Sequence, residues 1–157
     1  MNKEILIYEN KTLKLSHVFS KTIVIDDSFN EKPFEMVLKE FDDYMKNNKL
    51  LGYGPLIIKS GILGNEEKKM YLKLMRQTKN DSIKCIYPYE YNEEIKTPPC
   101  LLSRFEGNNN DSQIASMKMQ VYAYEHNLIL DIMSYTITKP NEDMVIIDTF
   151  IPILGRS

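Results

Sequence analysis

The stretch Val145-Ile146-Ile147-Asp148-Thr149-Phe150-Ile151-Pro152-Ile153 is β-branched and apolar, with Asn141-Glu142-Asp143 before it and Gly155 after it. Such a run reads as a buried strand. Side chains alternate along a strand, so Ile146, Asp148 and Phe150 share one face and Val145, Ile147, Thr149 and Ile151 the other. Asp148 is then a carboxylate among apolar neighbours. A buried charge must be paired, hydrogen-bonded or neutralised, or must face a cavity where a ligand meets it. Pro152 has no N–H to give to a ladder, so the strand is expected to end there or to lie at an edge.

Ahead of this stretch, Ile132 to Thr138 reads as a strand, and before that comes a helix. Asp111 or Ser112 can cap it, and its apolar stripe is expected at Ile114, Met117, Val121 and Tyr124, ending near His126-Asn127. Cys100 to Phe105 is a further strand, followed by a turn at Gly107-Asn108-Asn109-Asn110. The first half of the chain has the same order. Leu13 to Ile25 is a strand and Asp26-Asp27-Ser28 a polar turn. The next helix starts at Pro33 with a stripe of Phe34, Val37, Leu38, Phe41, Tyr44 and Met45. Asn47-Asn48 is the expected stop, because Asn accepts left-handed geometry. Gly52-Tyr53-Gly54-Pro55 reads as a turn, Leu56-Ile57-Ile58 as the start of a strand, Gly61 to Asn65 as a turn and Lys69 to Met75 as a strand. Tyr87, Tyr89 and Tyr91 fall in a connecting region that can form an edge strand.

The chain thus reads as an internal duplication of a strand-helix-strand-strand unit, with repeat one at about residues 13–78 and repeat two at about 97–153. The expected class is α+β: duplicated βαββ repeats, an antiparallel sheet, and two helices packed on one side. A groove at the junction of two such units is the expected ligand site.

Composition narrows the function classes. The 157 residues are 43% hydrophobic and 27% charged, with a formal net charge of -2 and no basic cluster. That is ordinary for a single globular domain and argues against a nucleic-acid or membrane-surface partner. No apolar run is long enough to span a bilayer, and the N-terminus lacks signal-peptide character, so the cytoplasm is the expected compartment. Cys85 and Cys100 have no framework spacing and read as reduced thiols. His17 and His126 are the two histidines, no His/Cys cluster has metal-ligand spacing, and neither a phosphate loop nor a nucleophile elbow is present. No cofactor is expected. Glu66-Glu67-Lys68-Lys69 and Glu142-Asp143 read as solvated turns.

Order and residues together resemble the GyrI-like superfamily, the AraC-type effector-binding, SOUL-related group with an SHS2-like duplicated fold. Three pieces carry the resemblance: Asn47-Asn48-Lys49-Leu50 with Gly54-Pro55, Arg104-Phe105-Glu106-Gly107 before the second helix, and Asp148-Thr149-Phe150-Ile151-Pro152. It is strongest toward a branch from low-GC Gram-positive bacteria. It implies a stand-alone sensor or sequestering module for cationic, aromatic, drug-like compounds, with an acid at the base of a cleft. Asp148 stands where the family keeps an acid four positions before a proline, although the family more often has Glu. The first repeat closes with Leu72-Lys73-Leu74-Met75-Arg76 and lacks both acid and proline.

The candidate ligand-binding residues are Asp148, Tyr135, Phe150, Tyr53, Tyr71 and Arg104. Asp148 offers charge and Tyr135 a stacking face. Tyr53, Tyr71, Tyr122 and Tyr124 can line an aromatic cage, or simply be core and surface tyrosines. The bland alternative for Asp148 is a structural ion pair with Arg104 or Lys73. At the level of function, the alternative is a protein-interaction module marked by an exposed apolar patch. A hydrolase using the same acid with a tyrosine is a third reading.

Overall fold

The structure, a computed structural model, describes residues 5–25, 33–64 and 69–157. The turns expected at Asp26-Asp27-Ser28 and Glu66-Glu67-Lys68 lie outside them. Nine strands and two helices follow one another: β1 (Leu6–Lys11), β2 (Lys14–Ile25), α1 (Phe34–Asn47), β3 (Gly52–Leu63), β4 (Lys69–Thr78), β5 (Tyr89–Lys96), β6 (Cys100–Gly107), α2 (Gln113–Glu125), β7 (Leu128–Leu130), β8 (Ser134–Asn141) and β9 (Met144–Arg156). The class is α+β, with antiparallel strand pairs and the duplicated order read from the sequence.

The chain divides into two units, residues 14–95 and residues 1–13 with 96–157. In the first, the strands lie in the order β3-β4-β2-β5. In the second they lie in the order β8-β9-β6-β1, with β7 paired to the tail of β9. Matching β2 to β6, β3 to β8 and β4 to β9 makes the orders identical. The outermost strands then exchange: β1 precedes β2 in sequence but pairs with β6, and β5 precedes β6 but neighbours β2.

In the first unit, α1 buries Val37, Phe41 and Met45 at helical spacing. They pack with Phe19, Leu50 and Leu74, while Leu38, Tyr44 and Tyr89 cover the flank. Phe19 lies nearly parallel to Phe41, Tyr44 and Tyr89, with ring centroids 5.6–5.7 Å apart. This helix follows the sequence reading. Its exit differs in detail: the left-handed residue is Lys49 (φ 56°), one past the Asn pair, as Asn127 (φ 58°) is in the second unit.

In the second unit, the sequence reading chose the wrong helix stripe. Ile114, Met117, Val121 and Tyr124 are 52–86% exposed, whereas Ala115, Met119 and Ala123 are buried. Apolar residues surround α2, so periodicity offers two stripes. The smaller one faces inward and lets the helix sit close to Leu101, Leu128 and Ile151. Tyr122 on that side donates to Glu9 Oε2 at 2.7 Å, which fixes the rotation.

Three boundaries also move. Gly52–Pro55 and Gly61–Leu63 belong to β3, the former spanning a register shift before Ile57. Gly61 is needed there, because a Cβ would stand 2.7 Å from the Tyr71 ring. The strand expected over Ile132 to Thr138 instead runs from Ser134 to Asn141 as β8, and a short unforeseen strand, β7, precedes it at Leu128–Leu130. Finally, β9 does not end at Pro152 but exchanges partners there. Pro152 faces Cys100, the first residue of β6, and Ile153 pairs with Leu130 of β7.

Candidate functional site

Register places four of the six candidate residues on one face of the second unit. Directly opposite residues of paired strands project to the same side. Asp148 is opposite Arg104 on β6 and Ile137 on β8; Phe150 is opposite Leu102 and Tyr135. Leu6 and Tyr8 of β1 extend the row beside Arg104 and Leu102. The alternate residues, among them Leu101 and Ile151, pack beneath α2. The candidate face is therefore the one turned away from the helix.

The chemistry of that face is unusual for a sheet. Tyr135, Ile137, Phe150 and Asp148 are all buried, Asp148 with only 6% exposure. Arg104 meets the carboxylate in a fork: Nε to Oδ1 and one terminal nitrogen to Oδ2, each at 2.8 Å. The Arg104 side chain is 51% exposed against 8% for Asp148, so the pair has a wet end and a dry end. The carboxylate and its hydrogen bonds push the guanidinium above its already high range, keeping it charged. The ion pair foreseen as the bland reading of Asp148 is thus present, with Arg104 as partner.

Tyr53 and Tyr71 belong to the other unit. Tyr53 lies opposite Gln77 and is 38% exposed, and Tyr71 lies across Gly61. Lys73, the other proposed partner of Asp148, instead pairs with Glu90 at 2.5 Å. Of the remaining cage tyrosines, Tyr122 bonds Glu9 and Tyr124 is exposed. Glu9 sits below the usual carboxylate range because Tyr122 and Arg156 both donate to it.

Sequence reasoning missed a concavity in the same unit. A cavity of about 610 Å³ is lined by α2 residues Ser116, Gln120, Ala123 and Tyr124, by Leu128 and Leu130, by the segment from Asp131 to Ser134, and by Ile151. Its one acid, Asp131, is the lone charge between the apolar triplet Leu128-Ile129-Leu130 and the apolar pair Ile132-Met133. That isolated charge was the available signal. Among the described residues, no group of three His, Cys, Asp or Glu side chains can hold a metal, and no helix is long and apolar enough to cross a membrane.

No family model and no curated protein sequence matches the chain. Solved structures do match in fold. The C-terminal domain of EcmrR superposes with a TM-score of 0.62 at 14% identity, covering 100% of each chain. EcmrR in its complex with DNA gives 0.61 at 13%, over 96% of this chain and 57% of that one, so the present chain spans little more than half of EcmrR. SAV2435 bound to tetraphenylphosphonium gives 0.55 at 12%, over 98% and 95%. At these identities the likeness is one of fold: the chain has the fold of the EcmrR C-terminal domain and of SAV2435.

Proposed function

We propose that the protein is a small-molecule-binding module of the GyrI-like effector-binding type, a cytoplasmic sensor or sequestering protein for cationic aromatic compounds. The observation that carries this reading is Asp148: a buried carboxylate on the sheet face away from the helix, with Phe150 and Tyr135 side by side in the next register row. The fold shared with SAV2435, which was solved with tetraphenylphosphonium, supports it. A delocalised aromatic cation is weakly hydrated, so little desolvation opposes its transfer to such a face. Ring contacts add roughly 0.5–2 kcal/mol each.

Arg104 holds the place that the ligand's charge would take. In this reading the guanidinium is an internal stand-in, displaced into solvent, where half of it already lies, when a cation arrives. Arg104→Met should then tighten a rhodamine-type dye. Asp148→Asn should weaken it by about 1–3 kcal/mol, the scale of one charge-assisted contact, and leave a neutral analogue unchanged. Fluorescence titration of the three proteins, with a melt of each alone, is the test. Equal dye affinity in all three would leave Asp148 as a structural residue.

A second reading, a protein-interaction module, is favoured by the outer face of α2. Ile114, Met117, Val121 and Tyr124 are all exposed there, an apolar patch on the helix side of the sheet.

A further inference from the structure

We infer that the cavity beside α2 is a separate binding site for a small organic ammonium, a molecule with one positive charge on an aromatic or branched apolar body. The site lies on the helix side of the second unit. Ile151, which lines it, alternates with Phe150 and so projects to the opposite side of β9 from the Asp148 row. Its failure or success is independent of the Asp148 reading.

Three features define the ligand. The first is shape. About 610 Å³ lies within the range of small-molecule sites, and its walls are mixed: Ala123, Leu128, Leu130, Ile132, Met133 and Ile151 supply the apolar part beside Ser116, Gln120, Asp131 and Ser134. Ile132 is 73% exposed and Tyr124 86%, so two large side chains stand at the rim ready to fold over a guest.

The second is charge. Asp131 is the one ionisable carboxylate of the lining, which contains no Lys, Arg or His. Its Oδ1 accepts the backbone N–H groups of Ile132 at 2.7 Å and Met133 at 3.3 Å. Its own N–H donates to Pro152 O at 2.9 Å. The residue is therefore held by its backbone N–H and by one carboxylate oxygen, which leaves Oδ2 as the atom to meet an ammonium.

The third is the local field. A smaller recess adjoins the cavity, sharing Ala123, Tyr124 and Leu128 and adding Glu125 at the C-terminal end of α2. A helix C-terminus carries partial negative charge and favours cations. Glu125 and Asp131 add to it, and neither recess has a basic lining residue. Arg156, which donates to His126 O at 3.4 Å at this end of the helix, stands outside both linings, so the charge a guest meets inside them is that of the carboxylates. Tyr124 supplies a ring over which the ammonium can sit, and Ser116, Gln120 and Ser134 give the polar contacts that orient it.

The test uses phenethylamine and its uncharged counterpart, phenethyl alcohol, titrated into the intact protein and followed by backbone amide NMR. Phenethylamine should shift the amides of Ser116, Gln120, Tyr124 and residues 131–134 in a saturable manner. Phenethyl alcohol should bind about tenfold more weakly, since one charge-assisted contact is lost. Asp131→Asn keeps an oxygen for the two N–H groups and should erase that tenfold difference. Gln120→Trp, from an exposed helix position, should fill the cavity and abolish both shifts, which keeps the idea testable if Asp131→Asn loses its native spectrum. Glu90→Gln, in the other unit, should leave all of this unchanged. Shifts confined to the β6, β8 and β9 residues around Asp148, equal binding of amine and alcohol, unchanged binding to Gln120→Trp, or no saturable shifts at all would each overturn the proposal.

Discussion

Helices α1 and α2 hold the same place in their units, and their outer faces differ. The outer side of α1 is mainly charged, with Glu35, Lys39, Glu40, Asp42, Asp43 and Lys46 beside an exposed Met36. The outer side of α2 carries Ile114, Met117, Val121 and Tyr124. The sheet faces turned away from the helices differ as well. One has a buried aspartate forked by a half-exposed arginine. The other has Lys73, 17% exposed, reaching a Glu90 that is 49% exposed. The fold needs only the inner stripe of each helix and the alternation of each strand. What the repeat does not need for folding has diverged, and the apolar helix face, the dry carboxylate and the cavity beside Asp131 all lie in the second unit.

The contrast can be broken at three strengths. The inner stripes should be equally unforgiving: Phe41→Ala is expected to lose about 3–5 kcal/mol and Met119→Ala about 2–5. A chemical melt showing less than about 1 kcal/mol for either would mean that the helix does not close a core. The two ion pairs should separate next. Arg104→Met strands Asp148 away from water and should cost about 2–4 kcal/mol, somewhat below a fully buried pair because Arg104 is half in solvent. Glu90→Gln removes a half-exposed partner and should cost under about 1 kcal/mol. Equal losses would show that the two faces are equally wet. The smallest effect is the most specific to α2. Val121→Ser, on the outer stripe, should change stability by no more than about 0.5 kcal/mol, although Val121 looks like a core residue in sequence.

That last case marks where the sequence was legible. Helix α1 could be read because its outer side is charged, leaving one apolar stripe. Helix α2 could not, because Ile114, Met117, Val121 and Tyr124 compete with Ala115, Met119 and Ala123, and hydrophobicity alone favours the larger set. The choice depends on closeness to the sheet and on the Tyr122–Glu9 bond, whose partners are 113 residues apart. The alternation of β9 was readable, so Asp148 and Phe150 sharing a face followed from it, whereas Tyr135 joins them only through its register opposite Phe150. The partner of Asp148 was narrowed to two residues, and only register between β6 and β9 selects Arg104 over Lys73. The exchange of β1 and β5 left no local trace, because pairing across the chain has no periodic signature. The cavity left one local trace, the isolated charge of Asp131, but its shape depends on β7 ending at Leu130 and on the chain turning at Asp131.

In the proposed binding mode Asp148 answers the ligand's charge in place of Arg104. The most direct measurement is the Nε–H NMR signal of Arg104, which the 2.8 Å bond to Asp148 Oδ1 should make slow to exchange and well resolved in the free protein. Saturating tetraphenylphosphonium should abolish or strongly shift that signal while the amide spectrum stays folded. If the cation binds and the Arg104 Nε–H signal does not move, Asp148 remains with its arginine, the ligand sits elsewhere, and the claim is wrong.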